Sequence, residues 1–156
     1  GARFKTIALS FVLNVLLQKA NHYMQMFDDN FELGKQGEEL TIVVKDYQNN
    51  GILSSSGLSG GQQFMVSLAL ALGLADMAEN MRSASDTLFI DEGFGTLSED
   101  YLDNVMNCLE TLHQRTGKRV GIISHVERLR ERIATQIRVG KGKGNKACVV
   151  EIESDY

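Results

Sequence analysis

Two short apolar runs, separated by one amphipathic stretch, constrain the fold of this sequence more than any other feature. Residues 87–90 (TLFI) are followed by an acidic pair at 91–92, and residues 120–123 (VGII) are followed by Ser-His at 124–125. Short apolar runs are typical of strands buried on both faces, and a helix between two such strands connects them in parallel. The sequence therefore predicts an α/β fold with a mostly parallel sheet flanked by helices.

The stretch between the two runs predicts a helix with a defined start and end. Ser98 is placed to cap the helix, and the acidic residues at 99–100 suit the positive charge of a helix N-terminus. The segment Thr116-Gly117-Lys118 is expected to end it. One face carries the apolar stripe that we expect to be buried, made of Leu102, Val105, Met106, Leu109 and Leu112.

Residues 4–27 predict a long helix whose two halves have different surroundings. The first half carries apolar residues at the spacing of a coiled-coil seam, namely Phe4, Ala8, Phe11 and Val15. The same register then meets Gln18 and His22, so we expect the seam to stop there and the helix to enter a globular domain. This division places the end of a coiled-coil arm at residues 1–27 and the globular domain at residues 28–156.

The remaining predicted elements are short. Residues 31–33 and 40–46 predict two strands, and Asn49-Asn50-Gly51 predicts a turn. Residues 135–139 and 147–152 predict an antiparallel hairpin at the C-terminal end, across a loop rich in glycine and lysine.

Residues 54–64 (SSSGLSGGQQF) place serines and glycines before an apolar helix that should run to about Met81. Ser59 and Gln62 fit the S-x-x-Q capping box, in which each side chain bonds the backbone N–H of the other residue. The box alone does not explain the glycines at 60–61, because glycine in a helix costs about 1 kcal/mol relative to alanine. Glycines there would leave bare N–H groups facing outward at a positive helix end, which is an arrangement that binds phosphate.

The acidic pair after the first apolar run can divide two tasks. Asp91 and Glu92 lie where open α/β sheets bind their ligands, and neighbouring side chains of a strand point to opposite sides. One carboxylate can hold Mg²⁺ while the other orients a water molecule. Taken alone, the pair also fits acidic residues that start a loop, and His125 fits an ordinary polar loop residue.

Composition narrows the class of protein. The apolar stretch 64–74 is interrupted by Ser67 and Gly73 and is too short to span a bilayer, so we expect no membrane partner. The two cysteines fit no metal-binding spacing, which favours a cytoplasmic location. Residues 128–146 carry seven basic residues against one acidic residue, although the whole chain has a net charge of −4. This segment is either a solvated surface or an edge that faces a polyanion.

Three motifs in chain order resemble those of ATP-binding-cassette (ABC) ATPases. Residues 58–62 (LSGGQ) resemble the signature loop, residues 88–92 (LFIDE) the Walker B strand and residues 123–125 (ISH) the switch histidine. The run at 93–97 (GFGTL) resembles the SbcC family, the large ATPase subunits of bacterial SbcCD nucleases. Transporter ATPases usually continue with Pro-Thr there, and this chain contains no proline. The resemblance covers about residues 31–152.

One position departs from the family pattern. Ser98 stands where the family usually has Asp, in a loop that normally communicates between the two active sites of a dimer. A serine there can still cap the following helix.

The resemblance implies ATP and Mg²⁺ as cofactors and a role for each site residue. The signature loop would close on the γ-phosphate of ATP held by a second head, using Ser59, Gly60, Gly61 and Gln62. Asp91 would hold Mg²⁺, Glu92 would orient the attacking water as general base, and His125 would contact the γ-phosphate. Positioning and charge neutralisation are what phosphoryl transfer chiefly requires.

The resemblance also implies partners. The sequence has no G-x-x-x-x-G-K-[ST] phosphate loop, and in the SbcC family that loop lies at the far N-terminus of the polypeptide. We therefore expect the C-terminal lobe of a split ATPase head, inactive on its own. The expected partners are the N-terminal Walker A lobe, a second head, a metal-dependent nuclease subunit and double-stranded DNA. The basic segment 128–146 could bind DNA by contacting the phosphates of the DNA backbone.

Three alternatives remain open. An ABC transporter fragment would share the chemistry but not the 93–97 run. A chromosome-structuring ATPase of the same superfamily would act without a nuclease. Co-purification of a metallophosphoesterase subunit would distinguish the SbcC-like nuclease from this alternative. A non-enzymatic dimerisation or DNA-binding lobe fits poorly with Asp91, Glu92 and His125, and restored ATPase activity on mixing the lobes would exclude it.

Overall fold

The computed structural model describes residues 2–37, 41–78, 87–141 and 148–154. The chain divides into two compact units, residues 1–123 and residues 124–156. The helices described are α1 (Ala2–Phe27), α2 (Gly60–Ala78), α3 (Glu99–Thr116) and α4 (Glu127–Arg132). The strands described are β1 (Phe31–Gln36), β2 (Thr41–Asp46), β3 (Gly51–Leu53), β4 (Thr87–Asp91), β5 (Arg119–Ile123), β6 (Thr135–Lys141) and β7 (Cys148–Ser154).

Helix α1 is confirmed, and its surroundings change along its length. Phe4 and Phe11 are 78% and 69% exposed, whereas Ala20 is fully buried. Ala20 packs against Gly73 of α2, where an added Cβ would lie 2.8 Å from the Ala20 nitrogen. Only glycine therefore allows the two helices to approach this closely. A coiled-coil role for the exposed half stays a prediction, as does the domain boundary at residue 27.

The first sheet is antiparallel, in the order β1-β2-β3. Asn21 of α1 holds β1 in place, because its amide donates to the Leu33 carbonyl (2.9 Å) and accepts from the Leu33 N–H (2.7 Å). The predicted turn is confirmed, with Asn50 at a φ of +50°, and it leads into β3. Strand β3 was not predicted because three residues are too few to show a periodic pattern. The predicted strand start at Leu40 lies outside the described residues.

Strands β4 and β5 form the predicted parallel pair, with Asp91 opposite Ile123 in the register. Helix α3 connects them, and all five residues of its predicted apolar stripe are buried. The α/β class is confirmed. The strands are more mixed than expected, because the other ladders in the described residues are antiparallel. Their connections are too short to contain a crossover helix.

One face of the β4–β5 pair is open. Phe89 is 72% exposed, and its ring lies over Gly121, where an added Cβ would be 2.6 Å from the ring atoms. Ile123 is 54% exposed. Within the part of the chain that the structure describes, the expectation of two strands buried on both faces is therefore wrong for this pair.

The ends of α3 agree with the sequence in position but not in every contact. Ser98 occupies the N-cap position, but within the described residues its side chain forms no capping hydrogen bond. The expected side-chain cap is therefore wrong, and Glu99 and Asp100 remain as the negative charge of the first turn. Gly117 ends the helix in the left-handed region at a φ of +72°, and its N–H donates to the His113 carbonyl.

Tyr101 joins the first turn of α3 to the end of α1. Its hydroxyl donates to Asp28 Oδ2 at 2.7 Å. This hydrogen bond, with burial and nearby carboxylates, raises the pKa of Tyr101 to about 12. Since the folded pKa lies above the unfolded pKa of about 10, the stabilisation is complete below about pH 10 and is lost as the pH rises through 12.

We expect Tyr101→Phe to lower the free energy of unfolding at neutral pH by about 1 kcal/mol, because Asp28 loses its donor. The substitution should also remove one phenol with a pKa near 12 from a titration followed by phenolate absorbance. The measurements are urea unfolding and that titration. An unchanged number of phenols titrating near pH 12 after the substitution would contradict the assignment.

The second unit contains α4 and the predicted hairpin, which is confirmed as the antiparallel pair β6–β7. Apolar residues face each other across the hairpin, with Ile137 opposite Ile152 and Val139 opposite Val150. Arg138 forms an ion pair with Glu153 at 2.7 Å.

Among the helices of the described residues, none combines the length and apolar character needed to cross a membrane.

Candidate functional site

The capping box at the start of α2 forms in both directions. The Ser59 N–H donates to Gln62 Oε1 at 2.9 Å, and the Gln62 N–H donates to Ser59 Oγ at 3.3 Å. A hydroxyl oxygen that accepts one bond still carries a proton that it can donate. Ser59 is exposed, so the cap and a contact to an outside phosphate are compatible.

The two glycines after Ser59 have different surroundings. Gly60 is exposed, and an added Cβ would meet Thr96 at an ordinary 3.6 Å. Gly61 is buried, and an added Cβ would lie 2.8 Å from the Thr96 carbonyl oxygen. The missing side chain of Gly61 therefore allows α2 to pack closely against its own chain, and the outward direction of the Gly60 and Gly61 backbone N–H groups stays a prediction.

The acidic pair lies at the carboxyl end of β4. Asp91 is the last residue of the strand, and both carboxylates are exposed. The Glu92 N–H donates to the Ile123 carbonyl at 2.9 Å, so the ladder with β5 continues one residue beyond Asp91. Glu92 itself has a φ of +59°, in the left-handed region. This conformation costs a residue with a Cβ about 1 kcal/mol, so its surroundings must hold it there.

Residues 93–96, which we call the GFGT loop, follow Glu92 directly and pack on α2. Gly93 has a φ of +93°, and an added Cβ would lie 2.2 Å from the ring of Phe64. The rings of Phe64 and Phe94 meet edge to face, with centroids 5.0 Å apart. The Thr96 hydroxyl donates to the Gly93 carbonyl at 2.7 Å and closes the loop.

These contacts join the signature-like loop and the acidic pair into one packed body. Sequence reasoning missed Phe64, although it follows the LSGGQ motif closely and lies four residues after Gly60 on the same helix face. Helical spacing could have placed Phe64 on that face. Nothing in the sequence indicates that its ring meets Gly93.

The residues fit a magnesium ion that arrives with a nucleotide. Mg²⁺ usually binds one or two carboxylates together with substrate phosphates and water. Asp91 offers an exposed carboxylate at a strand end. Within the described ranges, no three or more acidic, histidine or cysteine side chains form a group that could hold a metal.

His125 and the basic segment belong to the second unit. His125 is exposed and lies between β5 and α4. Arg128 and Arg130 are exposed on α4, while Arg138 is paired with Glu153. Lys143 and Lys146 lie outside the described residues. The role of His125 and contact between this segment and DNA therefore stay predictions.

Comparisons with known proteins identify chains that are similar to this one. The family described as SbcC/RAD50-like, Walker B motif, matches residues 36–111. The SbcC subunit of the SbcCD nuclease of Rhodobacter capsulatus is 43% identical over 150 residues, which is 96% of this chain. The chain belongs to the SbcC family. The corresponding SbcC protein of Pseudomonas aeruginosa is 41% identical over 146 residues, which is 93% of this SbcC-family chain. The chain spans 12% of the length of each of these two relatives.

Solved structures show the fold of this SbcC-family chain. One structure, described in terms of ATP-driven dimerisation and DNA-stimulated activation of SMC ATPases, superposes with a TM-score of 0.73 at 11% sequence identity. The match covers 94% of this chain and 89% of that chain. At this identity the likeness shows the fold alone. The predicted ATPase-head fold is confirmed.

Proposed function

We propose that this SbcC-family chain is the C-terminal lobe of an ATPase head in an ATP-dependent nuclease that acts on DNA double strands in repair and recombination. The observation that carries the proposal is the close packing of Gly61 on the Thr96 carbonyl. That packing joins the signature-like loop to the segment that follows Asp91 and Glu92. Relatives described as SbcCD nuclease subunits support the biological context.

The exposed start of α2 would bind the triphosphate of a second head. The Ser59 hydroxyl and the Gly60 N–H lie at the N-terminus of a 19-residue helix, where the helix dipole favours an anion. Gln62 would keep Ser59 in place through the capping box. Gly61 is buried against Thr96, so we assign its missing side chain to packing of the loop, while its backbone N–H would also contact the phosphate.

The two carboxylates would act in the head that carries them. Asp91 would hold Mg²⁺, which neutralises phosphate charge when bound. Glu92 would accept a proton from the attacking water, and His125 would contact the γ-phosphate. Splitting the tasks between adjacent residues fits Asp91, which ends the strand, and Glu92, which turns away from it at positive φ.

The proposed partners rest on the length of the relatives and on the open apolar face of the β4–β5 pair, where Phe89 is 72% exposed. The chain spans 12% of relatives that it matches over nearly all of its own length. We propose that the N-terminal Walker A lobe of the same polypeptide completes the head, and that a second head completes the ATP site. A nuclease subunit and double-stranded DNA would be the further partners.

Mixing experiments test the proposal. We expect the isolated chain to hydrolyse ATP no faster than buffer, because a phosphate loop is lacking from its sequence. Adding the N-terminal lobe of the parent polypeptide should produce turnover that requires Mg²⁺. The matched control is the same mixture with Glu92→Gln in this chain, measured by phosphate release. Robust hydrolysis by the isolated chain would contradict the proposal.

One alternative shares the ATPase-head fold, namely a chromosome-structuring head without a nuclease. Affinity purification of the full-length protein from its own cells distinguishes the two functions. A co-purifying metal-dependent phosphoesterase supports the nuclease complex, and its absence supports the alternative.

A further inference from the structure

Phe64 contacts two parts of the proposed site at once. It lies on α2 four residues after Gly60 and three after Gly61, so the three residues share one face of the helix. On this face α2 meets the GFGT loop over two successive turns. Thr96 packs against the glycines, and Gly93 and Phe94 pack against the Phe64 ring.

The ring occupies the space that a side chain at position 93 would need. An added Cβ on Gly93 would lie within 2.4 Å of two Phe64 ring atoms, Cδ2 and Cε2. Phe94, the other contact of the ring, is 1% exposed and anchors the loop in the core. The GFGT loop therefore cannot shift toward α2, and a movement of α2 toward the loop would push the loop through the Phe64 ring.

Glu92 lies between two anchors. On one side its N–H is bonded to the Ile123 carbonyl of β5. On the other side Gly93 is held against Phe64. A left-handed conformation at a residue with a Cβ persists only where the surrounding structure imposes it. Without the ring, Glu92 could relax to negative φ, and its carboxylate would point elsewhere.

We infer that Phe64 is a positioning residue that holds Glu92 in its left-handed conformation and transmits movement of the signature loop to it. The inference rests on the proposed function, in which Ser59 and Gly60 bind ATP of the second head while Glu92 acts in its own head. Binding at one ATP site then sets the general base of the other site. Phe64 touches neither nucleotide.

Steady-state kinetics of the full-length protein test this role with three variants. Phe64→Leu removes the ring and keeps an apolar side chain. Phe64→Tyr keeps the ring and adds a hydroxyl group, and Phe64 is only half-buried. Leu72→Val is the matched control, because Leu72 is 1% exposed in the same helix and lies about two turns beyond Phe64.

We expect Phe64→Leu to lower kcat on the order of tenfold, because a misplaced base acts poorly. The KM for ATP should stay within about twofold, and the Hill coefficient should fall toward that of independent sites. Phe64→Tyr and Leu72→Val should both keep kcat within about twofold.

Two outcomes separate failure of the inference from failure of the proposed function. If Phe64→Leu retains the kcat and Hill coefficient of Leu72→Val, Phe64 serves packing alone and the inference is overturned. If Glu92→Gln hydrolyses ATP as fast as the unaltered protein, the proposed function fails, and the inference fails with it.

Discussion

Replacing Glu92 with glutamine is expected to reduce ATP turnover of the full-length protein by on the order of a hundredfold or more, the usual contribution of a general base. Glutamine keeps the size of the side chain but cannot accept the proton of the attacking water. Because glutamine also has a Cβ, the left-handed backbone at this position costs the same in both proteins. The fold should therefore be unaffected.

The same substitution should stabilise the ATP-bound dimer. In the proposed function, two heads held together by ATP would separate when the nucleotide is hydrolysed, so a head that binds but does not hydrolyse should remain paired. Phosphate release measures the turnover, and light scattering with and without ATP measures the dimer. Glu110→Gln is the matched control, because Glu110 is an exposed carboxylate on α3 outside the proposed site. Equal losses in the two variants would contradict the role of Glu92.

Alanine at position 61 is expected to destabilise the chain much more than alanine at position 60. The Cβ of Gly61→Ala would lie 2.8 Å from the Thr96 carbonyl oxygen, which real Cβ atoms do not tolerate, so the loop or the helix must move. Overpacking of this kind lowers the free energy of unfolding by about 1–3 kcal/mol. The Cβ of Gly60→Ala would meet Thr96 at 3.6 Å, an ordinary contact.

Gly60→Ala is therefore the internal control for Gly61→Ala. Both variants add one methyl group to the first turn of the same helix, where alanine is otherwise preferred to glycine. We expect Gly60→Ala to leave the free energy of unfolding unchanged or slightly higher. Urea unfolding followed by circular dichroism measures both. Similar destabilisation at the two positions would show that the Thr96 contact does not explain the glycine at 61.

Much of the fold was predictable from neighbouring residues. The parallel pair β4–β5, the buried stripe of α3 and the reciprocal bonds between Ser59 and Gln62 follow from periodicity, capping chemistry and strand length. Such signals depend on residues a few positions apart, so they can be recognised without knowledge of the tertiary structure. The family assignment likewise depended on short motifs in a fixed order, and the comparisons confirm it.

Contacts between distant parts of the chain were not predictable in this way. The sequence indicated that the glycines after Ser59 are unusual, but it did not indicate that Gly61 packs closely against a distant part of the chain. Its missing side chain is required by a carbonyl oxygen of the GFGT loop. The exposure of the sheet face that carries Phe89 was not predicted for a related reason. An apolar strand has the same sequence pattern whether or not another element covers it.

By itself, then, the sequence determined most of the elements, the capping box of α2, the family and the identity of the candidate catalytic carboxylates. Only the tertiary structure decided that Phe64 meets Gly93 and that Glu92 adopts a positive φ. The physical reason is that local hydrogen bonding and hydrophobic periodicity act between near neighbours. Close approach between α2 and the GFGT loop depends instead on how the helices and strands pack together, which no short stretch of sequence specifies.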